Sequence, residues 1–497
     1  MDEIPYDPKA PTLQRHFGLL HATALNVSMI VGAGVFVTIP LMLLDIPGPY
    51  ALLGWVGAGA LMLVDGLTWS ELGAMFPGSG GSYLYLLEAY GPRRWGRLMA
   101  FLFIWQFLIS GPLEIGSGLI SIAIFSNGFS KEFAAFNREH AWQKELWKDP
   151  DMIMTVNPAW LIAVAVGALI VVLLYRRLTS IKWLMVTVWL GVLAVIVWIL
   201  IEGIARFDPQ VAFDFSGSAV NWPTNVTEGL DFQKHLGHAM VLAMFSYLGY
   251  YNVCYIGAEV RDPGRTIPRS ILLSALLVAV LFVCVHLALL GVVSWHDLPP
   301  DKDAAGNYNL PAEFMRRVHG DWAAVVVTAF LIWSCFGSAF AGLLGYSRIP
   351  YAAARHGHFF SVFGTLHPRH HIPHIALLLV AALSLFWTLF DLGDVISALI
   401  ATRILEQFIG QIVGVVLLRR LQPERPRPFR IFLYPVPCGI ALLGWLYLYW
   451  SAGNFFVAVG LTTLLVGVAV FLLWTWRTSQ WPFGSRDLAP KNIRPDS

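Results

Sequence analysis

Long apolar stretches separated by short polar junctions dominate the chain. Most are close to the roughly 20 residues that an α-helix needs to cross the ~30 Å hydrocarbon core of a bilayer. Backbone amides in lipid must be bonded within their own segment, and the stretches are too long for the strands of a β-barrel. The pattern therefore predicts an all-α membrane protein with about 12 transmembrane helices. The stretches cover residues 17–44, 50–76, 95–125, 159–175, 181–201, 236–258, 271–295, 322–354, 375–390, 395–418, 431–450 and 455–476.

The same pattern divides the chain into one membrane domain and two polar tails. Residues 17–476 contain every apolar stretch, whereas residues 1–16 and 477–497 are polar. The first stretch lacks a small-residue cleavage site, so we expect no removable signal peptide.

Positive charges indicate the orientation. Lys and Arg are concentrated in alternate junctions, for example at Arg93, Arg94 and Arg97, and such junctions face the cytoplasm. The long junctions 127–158 and 202–235 fall on the poorer side, which carries Asp and Glu beside its few cations. We therefore expect a multi-pass protein of the plasma (inner) membrane with both termini in the cytoplasm.

The overall composition supports the lipid environment and excludes some functions. Hydrophobic residues make up 57% of the 497 positions and charged residues only 13%, too few to cover a soluble globule. The net charge of +2 is small and no basic face is formed, so nucleic acid is not expected as a partner.

Motifs for bond-making chemistry are absent from the sequence. It contains no nucleophile elbow, nucleotide-binding loop or paired-carboxylate motif, so we expect neither an enzyme nor a cofactor. The histidine-rich run from His367 to His374 lacks the spacing of a metal site, and no metal is expected. The four cysteines are far apart and are interpreted as small buried residues: Cys254, Cys284, Cys335 and Cys438.

Two glycines interrupt the first apolar stretch near its middle, in the sequence Gly32-Ala33-Gly34. They weaken a helix where lipid demands continuous hydrogen bonding. Unwound backbone frees amides and carbonyls, and the positive end of the following half-helix can hold a carboxylate. Small residues also allow close helix packing, so this pattern alone leaves both interpretations open.

The sixth stretch is also interrupted at mid-depth, at Gly249 among aromatic and polar residues. Stretches 1 and 6 are the first helices of two five-helix halves, a relation inferred from helix order alone. Paired broken helices in corresponding positions of two halves indicate a substrate site near the membrane midplane.

Four motifs together resemble the amino acid/polyamine/organocation (APC) superfamily of permeases, in particular the L-type amino acid transporters and their bacterial relatives. The resemblance extends over most of the chain. The motifs are Gly32-Ala-Gly-Val-Phe36, Glu71-Leu-Gly-Ala-Met-Phe-Pro-Gly-Ser-Gly-Gly-Ser-Tyr83, the stretch from Phe245 to Glu259 with Pro263 and Pro268, and Tyr346-Ser-Arg-Ile-Pro-Tyr-Ala-Ala-Ala-Arg-His-Gly357.

The resemblance implies a LeuT-like fold: a five-plus-five inverted repeat with helices 1 and 6 unwound at mid-membrane, followed by two C-terminal helices. It also implies an amino acid held as a zwitterion between helices 1 and 6, with Phe245 as an aromatic lid. By this resemblance, the substrate carboxylate meets the amides of Gly32, Ala33 and Gly34, the ammonium meets the carbonyls of Ile30, Phe245 and Leu248, and Gly249, Tyr250 and Tyr251 complete the binding stretch.

The sequence departs from the family pattern in three ways. Tyr250 and Tyr251 stand where relatives often have Trp followed by Asp or Asn, which indicates a more aromatic pocket. The lysine that many sodium-independent relatives carry midway along helix 5 is missing, since the only lysine of that stretch is Lys182 at its start. Residues 127–158 contain no cysteine, so a disulfide-linked partner subunit is not expected.

Ionisable residues at membrane depth are candidates for function. Glu114, which follows Gly111-Pro112, is the candidate for proton coupling. Arg403 and Glu406 are three residues apart and are expected to neutralise each other. Asp65 also qualifies by position, and His286 is interpreted as a core histidine.

These observations favour a secondary active amino acid transporter, a permease or exchanger working by alternating access. Its expected partners are an amino acid substrate, the lipid bilayer and a coupling ion, either proton or sodium. Two alternatives stay open: a transporter of polyamines or another small organic cation, and an amino acid sensor without transport. A cation would require a side-chain carboxylate in the pocket, and neither broken stretch offers one at its centre.

Overall fold

The computed structural model describes residues 15–78, 80–148, 151–175, 181–216, 226–299, 307–368 and 372–484. Helices account for 77% of the residues that the structure describes, which confirms a mostly helical protein. The predicted tails lie largely outside the described residues.

Helices make up nearly all of the described elements. A 3₁₀ turn, Gly48–Ala51, leads into α3, and a π-helical turn, Ile404–Ile409, joins α16 to α17. In chain order the elements are α1 (Leu19–Ile30), α2 (Gly34–Asp45), α3 (Leu52–Met75), α4 (Ser82–Ala89), α5 (Trp95–Ser126), α6 (Lys131–Glu139), β1 (Trp142–Lys148), β2 (Asp151–Val156), α7 (Pro158–Tyr175), α8 (Ile181–Ala205), α9 (Pro209–Ala212), α10 (Val226–Tyr247), α11 (Pro263–Leu290), α12 (Leu310–His319), α13 (Asp321–Tyr346), α14 (Arg348–Arg355), α15 (His374–Trp387), α16 (Leu392–Arg403), α17 (Gly410–Leu421), α18 (Val436–Ser451) and α19 (Asn454–Thr478).

The number of membrane spans agrees in part with the sequence prediction. Among the described residues, eight helical segments are long and apolar enough to cross a membrane, and α1 with α2 forms a further candidate span bent by 51°. Helices α15 and α18 are apolar but shorter. The chain is therefore a multi-pass membrane protein, while the figure of about 12 spans stays a prediction.

The long helix α5 lies at the centre of the bundle and packs against α13, α15 and α16. Helix α3 packs against α10 and α11. Helices α7 and α8 are peripheral and expose large apolar side chains such as Leu161, Leu169 and Ile201. Apolar side chains on the outer face are expected where the surrounding solvent is lipid.

The junction predicted as a long outer loop contains the helix α6 and the antiparallel hairpin β1–β2. The amide of Thr155 donates to the carbonyl of Leu389 over 2.8 Å, and Met154 pairs with Phe390. The hairpin is thereby attached to the connection between α15 and α16.

The chain preceding α1 is bonded to the chain preceding α11. The amides of His16 and Phe17 both donate to the carbonyl of Glu259, over 2.9 and 3.1 Å. The amide of Arg261 donates back to the carbonyl of Phe17 over 2.9 Å. These bonds fix the start of α1 beside residues 259–261.

The cysteine interpretation is right for three positions and wrong for one. All four thiols are free, and Cys254, Cys335 and Cys438 are buried, but Cys284 is exposed on α11. An apolar sequence stretch does not indicate which helix face will meet lipid, and Cys284 lies on such a face.

Candidate substrate site

The first span is broken between α1 and α2, as the two glycines predicted. Helix α1 ends at Ile30, and the amide of Val31 still bonds to Val27 over 2.8 Å. Helix α2 begins at Gly34. The first amides of any helix have no partner within it, and they form its positive end. A Cβ atom at Gly32 would meet nothing within 4 Å, so there is open space beside this backbone.

The second break follows α10, as Gly249 predicted. Helix α10 ends at Tyr247, and Gly249 adopts a φ of +111°, which L side chains rarely tolerate. Two short 3₁₀ turns, Asn252–Tyr255 and Gly257–Glu259, fill the interval before α11. The chain is thus non-helical or tightly wound over the whole interval.

The two breaks lie against each other. A Cβ atom at Gly249 would stand 3.2 Å from the carbonyl oxygen of Met29, near the end of α1. A Cβ atom at Gly34 would stand 3.5 Å from Cε1 of Phe245, a half-buried ring. The structure therefore brings the start of α2 to Phe245 and the end of α1 to Gly249. Ile30, Ala33 and Leu248, three further predicted residues, are buried.

Polar side chains that the sequence analysis did not select hold the breaks together. The amide of Val253 donates to Oδ1 of Asn26 over 2.9 Å, and Nδ2 of Asn26 donates to Oγ of Ser274 on α11 over 3.3 Å. The hydroxyls of Thr38 and Ser246 lie 3.1 Å apart. A lone Asn on an apolar helix was the available signal, because a buried amide needs hydrogen-bond partners.

The aromatic pair after Gly249 points towards α3. The hydroxyl of Tyr250 donates to the carboxylate of Asp65, which also accepts from Nε1 of Trp445 over 3.1 Å. Tyr251 stacks on Trp69 with ring centroids 4.1 Å apart. Asp65, buried at membrane depth, therefore has two donors, and the two buried tyrosines form an aromatic wall against α3.

The proton-coupling candidate Glu114 is part of an ion pair. Its carboxylate accepts from Nη2 of Arg403, which is 3% exposed. Nε of Arg403 donates to Oγ of Ser110 over 3.2 Å, and the guanidinium lies 5.9 Å from the ring centre of Phe107. The prediction that Arg403 pairs with Glu406 is therefore wrong, because a partner on another helix holds the guanidinium.

Glu406 is consequently left without this partner. It lies in the π-helical turn and is 1% exposed. Neither carboxylate oxygen has a hydrogen-bond partner in the part of the chain that the structure describes.

His286 is buried in the core, as predicted, and among the described residues one of its two ring nitrogens has a partner. Its Nδ1 accepts from Nε1 of Trp55 over 3.0 Å, and the ring is fully buried. The histidine-rich run between His367 and His374 falls partly on residues 369–371, which lie outside the described residues.

Comparison with known proteins shows similarity to amino acid permeases along most of the chain. A family described as amino acid permease matches residues 17–475. The human cystine/glutamate transporter is 26% identical over 93% of the chain and 86% of its own length. The Bacillus subtilis serine/threonine exchanger SteT is 26% identical over 90% of both chains. The branched-chain amino acid permease BcaP of the same organism is 24% identical over 94% of the chain and 95% of its own length.

Proposed function

Because the chain belongs to the amino acid permease family of the APC superfamily, we propose that it is a secondary active amino acid transporter working by alternating access. Its relatives are transporters and exchangers rather than enzymes, and the substrates in their names are amino acids. The proposal concerns binding and movement of a substrate, with no bond made or broken.

The observation that carries the proposal is the contact between the two breaks. A zwitterion taken out of water needs both of its charges met by dipoles or charges of the protein. The start of α2 supplies amides with a positive helix end, and the end of α1 supplies carbonyls without helical partners. Both types of group stand beside the interval that contains Gly249.

The individual contacts proposed here are those that the family resemblance implies. The substrate carboxylate binds the amides of Gly32, Ala33 and Gly34, where a helix N-terminus favours an anion. The ammonium binds the carbonyls of Ile30, Phe245 and Leu248. The ring of Phe245 closes over the substrate, and its position beside Gly34 supports this role.

The side chain of the substrate extends towards Gly249, Tyr250 and Tyr251. Tyr251 is fixed by stacking on Trp69, and Tyr250 by its hydrogen bond to Asp65. An aromatic wall of this kind favours a substrate with an apolar or aromatic side chain.

The proposal includes the finer architecture predicted from the sequence. In it, α1 to α17 supply a five-plus-five inverted repeat whose helices 1 and 6 are the broken ones, and α18 and α19 are the two C-terminal helices. Helix α10 and the two shorter apolar helices, added to the longer candidates, are consistent with about 12 spans. The protein resides in the plasma (inner) membrane with both termini in the cytoplasm.

Uptake by proteoliposomes of the purified protein tests the function. Labelled amino acids are supplied outside, with or without unlabelled amino acids inside, under imposed proton or sodium gradients. Dependence on internal amino acid identifies an exchanger, and dependence on one gradient identifies the coupling ion. No uptake of any amino acid, compared with protein-free vesicles, would contradict the proposal and favour a sensor or a non-amino-acid substrate.

A further inference from the structure

Glu406 is a carboxyl group that the binding site does not use. It is buried within the bundle in the π-helical turn between α16 and α17, and both of its oxygens lack partners among the described residues. Single π turns inside α-helices occur often at functional sites. A burial of this kind requires an explanation, since buried carboxylates in membranes are otherwise paired.

The groups around Glu406 do not neutralise it. The π-helical turn packs against α5, α16, α17, α18 and α19. From α18, the hydroxyl of Tyr449 lies within electrostatic reach, but it donates to the carbonyl of Val457. The only charged residue of α19 is Arg477, in its last turn.

In the remaining neighbouring helices, Arg420 is exposed at the end of α17, and two further arginines already have partners. Arg403, at the end of α16, pairs with Glu114 of α5. Arg419 of α17 pairs with Glu71 of α3. Glu406 is therefore accommodated as the neutral acid, because an ionised carboxylate without donors has a prohibitive desolvation cost.

The cation nearest to Glu406 in the sequence is Arg403, three residues before it, where the π-helical turn begins. Its guanidinium is held by Glu114 and Ser110 of α5 and does not reach Glu406. Among the described residues, Glu406 therefore has no cation that would stabilise its ionised form.

We infer that Glu406, rather than Glu114, binds the proton that drives substrate movement, an inference that rests on the proposed transport function. The Glu406 carboxylate takes up one proton from the outer solution. It stays neutral while access to the residue changes from the outer to the inner side, and it then releases the same proton to the inner solution. One zwitterion then crosses with one proton, so one positive charge moves per cycle.

The coupling also has a route to the binding site. Phe408, two residues further along the π-helical turn, lies edge-on to Tyr251 with ring centroids 6.1 Å apart. Phe408 stacks on Trp445 with ring centroids 3.9 Å apart, and Trp445 donates to Asp65. A movement of this turn would therefore displace the residues that form the aromatic wall.

The test compares the wild-type protein with Glu406→Gln, which resembles the protonated acid but cannot exchange its proton. In proteoliposomes with an acidic exterior, the wild type is expected to accumulate labelled substrate above equilibrium. In Glu406→Gln, exchange against internal substrate continues, but the pH gradient no longer raises accumulation. Glu424→Gln makes the same chemical change at an exposed site and is expected to keep wild-type accumulation.

A second measurement keeps the inference open to refutation if Glu406→Gln does not fold. Proton entry is counted in wild-type vesicles with a trapped pH dye, against the labelled substrate that enters. During net uptake into vesicles without internal substrate, one proton per substrate is expected. Net substrate uptake without proton entry in the wild type would overturn the inference while leaving the transport function intact. Gradient-driven accumulation in Glu406→Gln equal to that of the wild type would also overturn it. A wild type without any amino acid transport would instead refute the proposed function.

Discussion

Gly34 at the start of α2 lies against Phe245 near the end of α10, with room for a methyl group but little more. A Cβ atom at Gly34 would stand at ordinary contact distance, 3.5 Å from Cε1 of Phe245 and 3.6 Å from Oγ of Ser246. A side chain larger than a methyl group at position 34 would therefore compete with the substrate for space.

Gly34→Leu is expected to abolish substrate binding, because its branched side chain extends past the contact distance into the binding space. Gly34→Ala is the matched control and should retain measurable binding. Binding of labelled substrate to purified protein in detergent checks both, with size-exclusion chromatography to confirm the folded state. Wild-type affinity in folded Gly34→Leu would rule out this part of the site.

Gly249→Ala is expected to destabilise the protein by about 1–3 kcal/mol, the usual cost of a strained backbone conformation. The φ of +111° disfavours any side chain, and the new Cβ would also stand 3.1 Å from Nδ2 of Asn252. The control is Gly439→Ala on α18, where a Cβ meets nothing within 4 Å; it should be neutral or stabilise by up to ~1 kcal/mol. Thermal unfolding midpoints in detergent provide the comparison, and equal midpoints for the two variants would refute this account of Gly249.

Glu71→Gln is expected to cost about 3 kcal/mol, near the lower limit for breaking a buried ion pair, because Arg419 remains partly exposed. Glu71 is 1% exposed and accepts from Nε of Arg419 and from the amide of Ile431, each over 2.8 Å. Arg206→Ala removes an exposed pair with Glu202 and should cost less than ~1 kcal/mol. Thermal unfolding of both variants checks the contrast. A similar loss of stability in the two variants would contradict the expected effect of burial at Glu71.

Acidification is expected to weaken the contact between α4 and the segment after α14. Nδ1 of His358 is hydrogen-bonded to the hydroxyl of Tyr83, and His358 lies outside the membrane-spanning segments. Burial, with smaller contributions from Arg97 and His356, lowers the pKa of His358 from 6.5 to about 4. The unfolded chain therefore binds this proton first, and the stability that the neutral ring contributes is lost as pH falls from about 6.5 to about 4.

His358→Phe keeps a ring in place and should reduce the fall in the unfolding midpoint over this pH range. His140→Phe, at an exposed ring, is the control and should follow the wild type. The measurement is the midpoint at several pH values, compared as a difference between each variant and the wild type. Identical slopes for His358→Phe and the wild type would contradict the role of His358.

Local signals explain what the sequence predicted well. Gly32 and Gly34 weaken a helix wherever they occur, and Gly249 permits a φ that other residues resist, so both breaks could be located without coordinates. The long apolar stretches predicted the helical class for the same reason, because each stretch is recognised from residues that are adjacent in the sequence.

Contacts between distant parts of the chain explain what the sequence did not predict. The i, i+3 rule favoured a pair of Arg403 and Glu406, but Glu114 lies 289 residues before Arg403 in the chain and meets it only in the folded bundle. The π-helical turn around Glu406 could not be predicted from the sequence, because the extra residue of such a turn can be of any type. The roles of Asn26 and Ser274 likewise depend on a contact between α1 and α11.

The bonds from His16 and Phe17 to Glu259 have a consequence for how the site can move. Together with the bond between Asn26 and Val253, they attach α1 to the interval before α11 at two points about 14 Å apart along the helix. Two attachment points prevent most of the relative rotation between α1 and the interval before α11, so these two segments move as one rigid body. Spectroscopic labels placed on α1 and on residues 252–260 should therefore keep a constant separation throughout the cycle, while their distances to α13 change.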